Sequence, residues 1–406
     1  MSRPALEVAD IIRTHGSQFR HDQAGHLSYP QLRVLHALEI CRTAALGGFL
    51  QECDNPDCGH QQPAYSSCRN RHCPKCQTLD RLRWVQARQE SLLPIPYFHL
   101  VFTLPHSLAP LLLANPSLGY HLLFAAAAAT LRALAEDPKH LGARIGFFAI
   151  LHTWGQQMTF HPHLHLVASG GGLSVDGKRW IPCRTSSDGK PFFLSVKVAS
   201  ALFRRLYCQA LEKAYRDGEL QFPASSAPLA EEKRFLPWLR AQRRQKWVVY
   251  AKPPFGSPAQ VIEYLGRYTH RVAISNHRLL TMENGRVGFH WRDYRHGGVE
   301  KIMSLEATEF LRRFLLHVLP PGFVRIRHYG LLANCQVKEQ IQQCRQLLQL
   351  APALLLLPTP PPDGRALLER LTGQPLDLCP LCQKGHLRRT LCLPRSAQNH
   401  SPPATV

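Results

Sequence analysis

The chain has 406 residues, with 49 Lys and Arg against 28 Asp and Glu, which gives a formal charge of +21 before its 22 histidines are counted. That length supports at least one large core and two or three folding units. The basic excess implies a polyanionic partner, a signature that ribosomal and membrane-surface proteins share and that charge alone does not separate.

Thirteen cysteines are present, and no amino-terminal stretch shows a basic region, an apolar core and a small-residue cleavage site in order. The expectation is thiol or metal chemistry in a reducing cytoplasm, without export and without a disulfide framework.

In chain order, Leu32, Leu35 and Leu38 recur at about one helical turn before Cys41. A cysteine-dense block follows, with CDNPDCGH from Cys53 and SCRNRHCPKCQ from Ser67. Short turns carrying paired thiolates are what a tetrahedral zinc site needs. Knuckle spacing favours Cys53, Cys58, Cys73 and Cys76 as ligands, with Cys68, His72, Cys41 and His60 as substitutes. Arg69, Arg71 and Lys75 sit on the knuckle and make it a candidate DNA-binding platform; the plainer alternative is that zinc only staples a small domain. A charged helical stretch, Gln77 to Glu90, leads to Pro94 and Pro96, which mark a boundary.

Tyr97 to Leu104 reads as the first strand of a second domain, followed by helical sequence from Ser107 to Glu136. The apolar window Leu108 to Ala135 is interrupted by Asn115, Pro116 and Gly119, so it reads as a core helix and not as a membrane span. IGFFAILHTWGQ, from Ile145 to Gln156, is a strand rich in aromatic and branched residues with His152, Trp154 and Gln156 on one face. HPHLHLVASGGG follows from His161, and on a strand the two-residue spacing points His163 and His165 to one face, where they can grip one divalent cation. Antiparallel pairing of the two strands brings His152 or Gln156 opposite that pair as a third ligand. His152 is preferred, because imidazole is the commoner ligand, and Gln156 stays open.

Short strands at Trp180 to Pro182 and Phe192 to Leu194, a helix over Lys197 to Asp217 and a strand at Trp247 to Ala251 come next. Ser257, Pro258 and Gln260 form a capping-box helix start, which puts Tyr264 and Tyr268 four apart on one helix face. Their neighbours Arg267, His270 and Arg271 would make a poor core but a good phosphate-facing surface. Arg286 to Arg292 and Lys301 to Leu305 read as strands, and Ala307 to Val318 as a helix. WRDYR from Trp291 and RIRHYG from Arg325, with Arg325 and Arg327, are basic aromatic segments suited to base stacking.

Val337 to Leu350 is helical, Leu354 to Gly364 reads as a proline-rich linker, and Ser396 to Val406 as a disordered tail. Between them Cys379 and Cys382, with His386 and Cys392, look like half a zinc ribbon of unconvincing spacing. The fold class is α+β, an antiparallel sheet core with helices packed on it, preceded by a small cysteine-rich zinc module. The organisation expected is residues 1–92, 93–335 and 336–406.

A histidine pair on a strand and a tyrosine pair on a later basic helix resemble the two-tyrosine rolling-circle transposases of insertion-sequence family ninety-one, within the HUH endonuclease superfamily. LHTWGQ at Leu151, HPHLHLVASGGGLS at His161, YLGRYTHRVAISNHRL at Tyr264 and RIRHYGLLAN at Arg325 all look like that family's blocks, in order from about Ile40 to Asn334. The first cysteine pair departs from the family pattern, where it is commonly closer.

The resemblance implies an HUH core at 93–335 that nicks and rejoins single-stranded DNA through a 5′-phosphotyrosine. Tyr264 and Tyr268 would be nucleophiles, His163 and His165 with His152 or Gln156 would hold Mg or Mn, and the amino-terminal module would hold structural zinc. DNA would be the partner, with Arg267 and Arg271 beside the tyrosines and host replication proteins as candidate helpers. The setting would be the bacterial cytoplasm and nucleoid, away from membranes. A rolling-circle replication initiator and a non-catalytic zinc-dependent DNA-binding regulator are the alternatives. With a charge of +21, DNA affinity measured by fluorescence anisotropy is expected to fall by at least about tenfold between 50 and 200 mM salt.

Overall fold

The computed structural model describes residues 4–90, 92–185, 189, 191–252, 257, 260–262, 266, 272–350, 366, 369, 373 and 375–396. All of the residues assigned above to the linker, 354–364, and residues 397–406 of the tail lie outside that set. Helices α1 (Val8–Asp22) and α2 (Tyr29–Glu39) precede a hairpin of β1 (Gly48–Cys53) and β2 (Gln61–Tyr65), and α3 (Thr78–Glu90) follows. Then come β3 (Tyr97–Thr103), α4 (Ala109–Ala114), α5 (Pro116–Glu136), β4 (Arg144–Trp154), β5 (Phe160–Leu173) and β6 (Trp180–Pro182). The two-residue strands β7 (Arg184–Thr185) and β8 (Pro191–Phe192) lead to α6 (Val196–Arg216), α7 (Glu232–Arg244) and β9 (Val248–Lys252). Strands β10 (Leu279–Glu283), β11 (Arg286–Asp293) and β12 (Val299–Glu306) form a meander, and β13 (Ile326–Gly330) and β14 (Leu387–Leu393) complete the set.

The chain divides into two compact units: Met1–Arg83 with His270–Val318 and Leu357–Val406, and Trp84–Thr269 with Leu319–Leu356. Both mix helices with antiparallel sheets.

In the first unit α1 packs against α2 and the helix Ala307–Leu315. The face of α2 that is buried carries Val34, Leu35 and Leu38, while Leu32 is exposed. Gln31 caps this helix through the Ser28 N–H at 2.9 Å, with Pro30 in the first turn. β14 pairs with β1 from Gly48 opposite Leu393 to Cys53 opposite Leu387, so the last part of the expected half-ribbon, with Cys392, is a strand. A β-strand was not legible there, because Leu387 to Leu393 is mostly exposed and lacks a clean apolar alternation.

The second unit is built on one sheet in the order β13-β4-β5-β3-β9, with β6 on the edge of β5. One face, with Phe102 edge-on to Phe203 of α6, is covered by α5 and α6. The expected helix from Ser107 breaks at Asn115, and Pro116 restarts it in the first-turn position that needs no donor. α5 is long and apolar enough to cross a bilayer, but 61% of its most apolar window is buried inside the protein. The opposite face carries Tyr97, Phe148, Ile150 and Val167, which pack with Leu93, Val261, Ile262 and Cys344 in one core cluster. Trp84 and Val85 of α3 join it, Trp84 edge-on to Phe148 at 5.4 Å.

The small-residue run that ends β5 has a steric reason. A Cβ on Gly172 would lie 2.3 Å from the Arg144 carbonyl oxygen, so β4 and β5 could not stay paired there without shifting. Gly172→Ala is expected to destabilise by about 1–3 kcal/mol, read as a lower denaturant midpoint at unchanged slope.

Candidate metal centre

Register decides which side chains meet on the sheet of the second unit. His152 of β4 stands opposite His163 of β5, and Ile150 opposite His165. Since side chains alternate along a strand, His152, His163 and His165 share the face of Phe148, Ile150 and Val167. One ring nitrogen from each of the three lies within 4.8 Å of the others. Gln156 lies in the turn between β4 and β5.

The hydrogen bonds orient the rings. His163 Nδ1 lies 2.7 Å from the His161 carbonyl oxygen, which can only accept, so this nitrogen carries the proton and leaves Nε2 with a lone pair. His163 Nε2 faces His165 Nε2 at 3.1 Å. On its other side His165 Nδ1 is 2.8 Å from His99 Nε2. If His165 donates there, its Nε2 also offers a lone pair, and two such pairs converging on one point fit a cation.

His99 was not singled out in the sequence. It sits on β3 opposite Val167, on the same face, and its ring is parallel to that of His165 at 5.1 Å. The available signal was a histidine in an inward position of an otherwise apolar strand. Burial, with a smaller contribution from Lys252, lowers His99 to about 4. Burial also lowers His163 to about 4 and His165 well below the ordinary histidine value. His99, His163 and His165 are therefore held as neutral imidazoles, the form that ligates metals. Three histidine donors, His152 with His163 and His165, suit manganese or zinc better than magnesium, which prefers oxygen.

Tyr264 and Tyr268, with Arg267 and Arg271, lie outside the described residues. The start of the helix expected to carry them lies within the described residues: Ser257 Oγ accepts the Gln260 N–H at 3.3 Å, and residues 260–262 are helical. Val261 and Ile262 pack on the histidine face, and Gly266 lies against Val85, where a Cβ would approach to 2.3 Å.

In the first unit the foursome favoured from spacing is divided. Cys73 and Cys76 join Cys41 and Cys68, whereas Cys53 and Cys58 join Cys379 and Cys382. The β1–β2 hairpin is the physical reason, because Cys53 leaves β1 at its far end while Cys68 to Cys76 follow the return of β2 toward Cys41. In the first quartet Cys41 and Cys76 sulfurs are 3.5 Å apart, Cys68 and Cys76 3.6 Å, and Cys41 and Cys73 3.8 Å. These are separations of thiolates around one zinc, and far beyond a disulfide bond. Neither His72, whose ring meets Asn70 at 3.1 Å, nor His60 belongs to a quartet. His386 lies 3.1 Å from Asp377, and Cys392 is exposed on β14.

The basic residues have varied surroundings. Lys75 donates to Glu7 at 2.7 Å and so ties the knuckle to the start of α1. Arg71 is partly buried, and Arg69 adopts a left-handed backbone, φ 51°, within the knuckle turn. Arg325 is buried, and Arg327 lies over the ring of Phe124 at 4.2 Å, on the sheet face away from the histidines.

Residues 146–340 match the family model of a "Putative transposase", and residues 11–104 match that of a "Transposase zinc-binding domain". The chain is 51% identical over 387 residues to the putative transposase y4qJ of Sinorhizobium fredii, covering 95% of each protein. It is 28% identical over 334 residues to the transposase for insertion sequence element IS801 of Pseudomonas savastanoi pv. phaseolicola, covering 81% of this chain and 77% of the other. No solved structure gives a significant match.

The lowered histidine values make a direct prediction about proton competition. Ordinary imidazoles, with pKa about 6.5, would begin to lose a bound ion as pH fell through that value. Here His163 stays neutral until pH approaches about 4, so Mn²⁺ binding measured by calorimetry is expected to be nearly unchanged from neutral pH down to about 5. His99→Ala is expected to weaken it by about 10–100-fold.

Proposed function

Because the chain belongs to the transposases of insertion-sequence family ninety-one, we propose that it nicks and rejoins single-stranded DNA at element ends through a 5′-phosphotyrosine, on an HUH-type core. The observation that carries this reading is the register of β4 on β5. It gathers His152, His163 and His165 on the sheet face that Val261 and Ile262 cover, and Tyr264 follows two residues later in the chain.

Tyr264 and Tyr268 are the nucleophiles of the proposal. A free tyrosine has a pKa of about 10, so the phenolate needs a positive setting, which Arg267 and Arg271 supply. Attack on the scissile phosphorus joins the tyrosine oxygen to the 5′ phosphate and releases a free 3′-hydroxyl. The phosphodiester energy stays in the phosphotyrosine, so the hydroxyl of another strand reverses the step without ATP. Two tyrosines let two strands be held during exchange. A divalent ion held by His152, His163 and His165, Mn²⁺ or Mg²⁺, would act as a Lewis acid and template at the scissile phosphate. Gln156 is the alternative third donor. The zinc module, with Arg69 and Arg71, and the basic segments around Trp291 and Arg325 would recognise the DNA ends. The reaction is placed in the cytoplasm at the nucleoid, with host replication proteins as further partners.

The test is incubation of the purified protein with labelled single-stranded DNA from an element end and Mn²⁺, followed by a denaturing gel. A covalent adduct is expected in the wild type, reduced in Tyr264→Phe or Tyr268→Phe and absent in the double variant. An adduct that persists in the double variant would refute tyrosine attack. Absence of adduct from a wild type that still binds DNA in a zinc-dependent way would favour the non-catalytic regulator.

A further inference from the structure

The matched zinc-binding region ends at residue 104, yet two of its cysteines are completed by a pair more than three hundred residues later. We propose that Cys53, Cys58, Cys379 and Cys382 hold a second structural zinc ion, which clamps the carboxy-terminal strand β14 onto the amino-terminal module.

The geometry is that of a tetrathiolate site. Cys53 and Cys382 sulfurs are 3.6 Å apart, Cys58 and Cys379 sulfurs 3.7 Å, and all four lie within 4.8 Å of one another. A tetrahedron with zinc–sulfur bonds near 2.3 Å has edges of about 3.8 Å. A disulfide would require about 2.05 Å. Cys379 is fully buried and the other three are half-buried.

Each half of the site has the backbone of a metal knuckle. On one side the Cys53 N–H donates to the His60 carbonyl at 2.9 Å, and the Cys58 N–H to the Asn55 carbonyl at 3.1 Å. On the other, the Cys379 N–H donates to the Gly385 carbonyl at 2.8 Å, and the Gly385 N–H to the Cys382 sulfur at 3.3 Å. Amide donors directed at sulfur favour the thiolate, the form that binds zinc. The halves are locked together by polar contacts: Asp54 accepts from the His386 N–H at 2.6 Å and from Arg388 at 3.0 Å. Gly385 is where they meet, since a Cβ there would fall 2.5 Å from the Cys53 sulfur and 2.9 Å from the Asn55 nitrogen.

Zinc content of the purified full chain, measured by mass spectrometry, tests the assignment. Because the histidine centre can also take zinc, the count is made in a His163→Ala/His165→Ala background: two ions per chain are expected there, and one when Cys379→Ser/Cys382→Ser is added. One ion in that background, or two after the cysteine change, would overturn it. A second readout includes an arm on the wild type alone, which does not depend on how the variant folds. With a protease site inserted in residues 354–364, the cleaved wild type is expected to keep its carboxy-terminal fragment through gel filtration and to release it on chelation. The cleaved Ser variant is expected to release the fragment unaided while retaining the zinc of the Cys41, Cys68, Cys73 and Cys76 quartet. Retention of the fragment after zinc has been stripped would show that the metal is not the clamp.

Discussion

Antiparallel pairing of β4 with β5 is the constraint on which the second unit depends. Side chains alternate with a period of two, so a slip of one residue would turn every inward group outward. In the observed register Phe148 faces Val167, Ile150 faces His165, and His152 faces His163. The apolar members of that row are almost fully buried, each contributing on the order of 1.5–3 kcal/mol. The apolar core therefore fixes the histidines: no alternative pairing of these strands could bury Phe148, Ile150 and Val167 while scattering the imidazoles.

Holding neutral rings together has its own cost, because nearby imidazoles repel one another once protonated and burial disfavours their charged forms. The protein meets this with hydrogen bonds that place the His163 proton and pair His165 with a neighbouring ring. The His161 carbonyl takes one from His163, and His99 on the neighbouring strand meets His165. Three adjacent strands thus contribute to the centre, and β3 supplies orientation where β4 and β5 supply the converging nitrogens.

Much of this was legible in the residues themselves. The aromatic and branched run before His152, the alternation around His163 and the small residues after it fixed two strands and their mutual face. The family was legible from the order of the blocks, and the comparisons agree. What local pattern could not supply was long-range partnership. Cys53 and Cys58 look like the first half of a site whose second half should follow shortly, and the nearest candidates, Cys73 and Cys76, lie in a different quartet. Nothing in the spacing of Cys379 and Cys382 indicates that a β-hairpin far upstream offers them a matching pair. His99 was missed for a related reason, because its role exists only once β3 lies beside β5.

The pairing of β1 with β14 also bears on synthesis. The sulfurs of Cys58 and Cys379 are separated by 321 positions, and the strands that flank them are hydrogen-bonded neighbours. A ribosome making this chain releases β1 long before β14, so β1 must wait with one edge unsatisfied while the other unit has the residues for its sheet. Closing so long a loop is entropically costly and slow, and exposed strand edges invite wrong partners. Completion of the first unit is thus a late folding event, and a truncated product that stops before residue 379 would lack one side of it altogether.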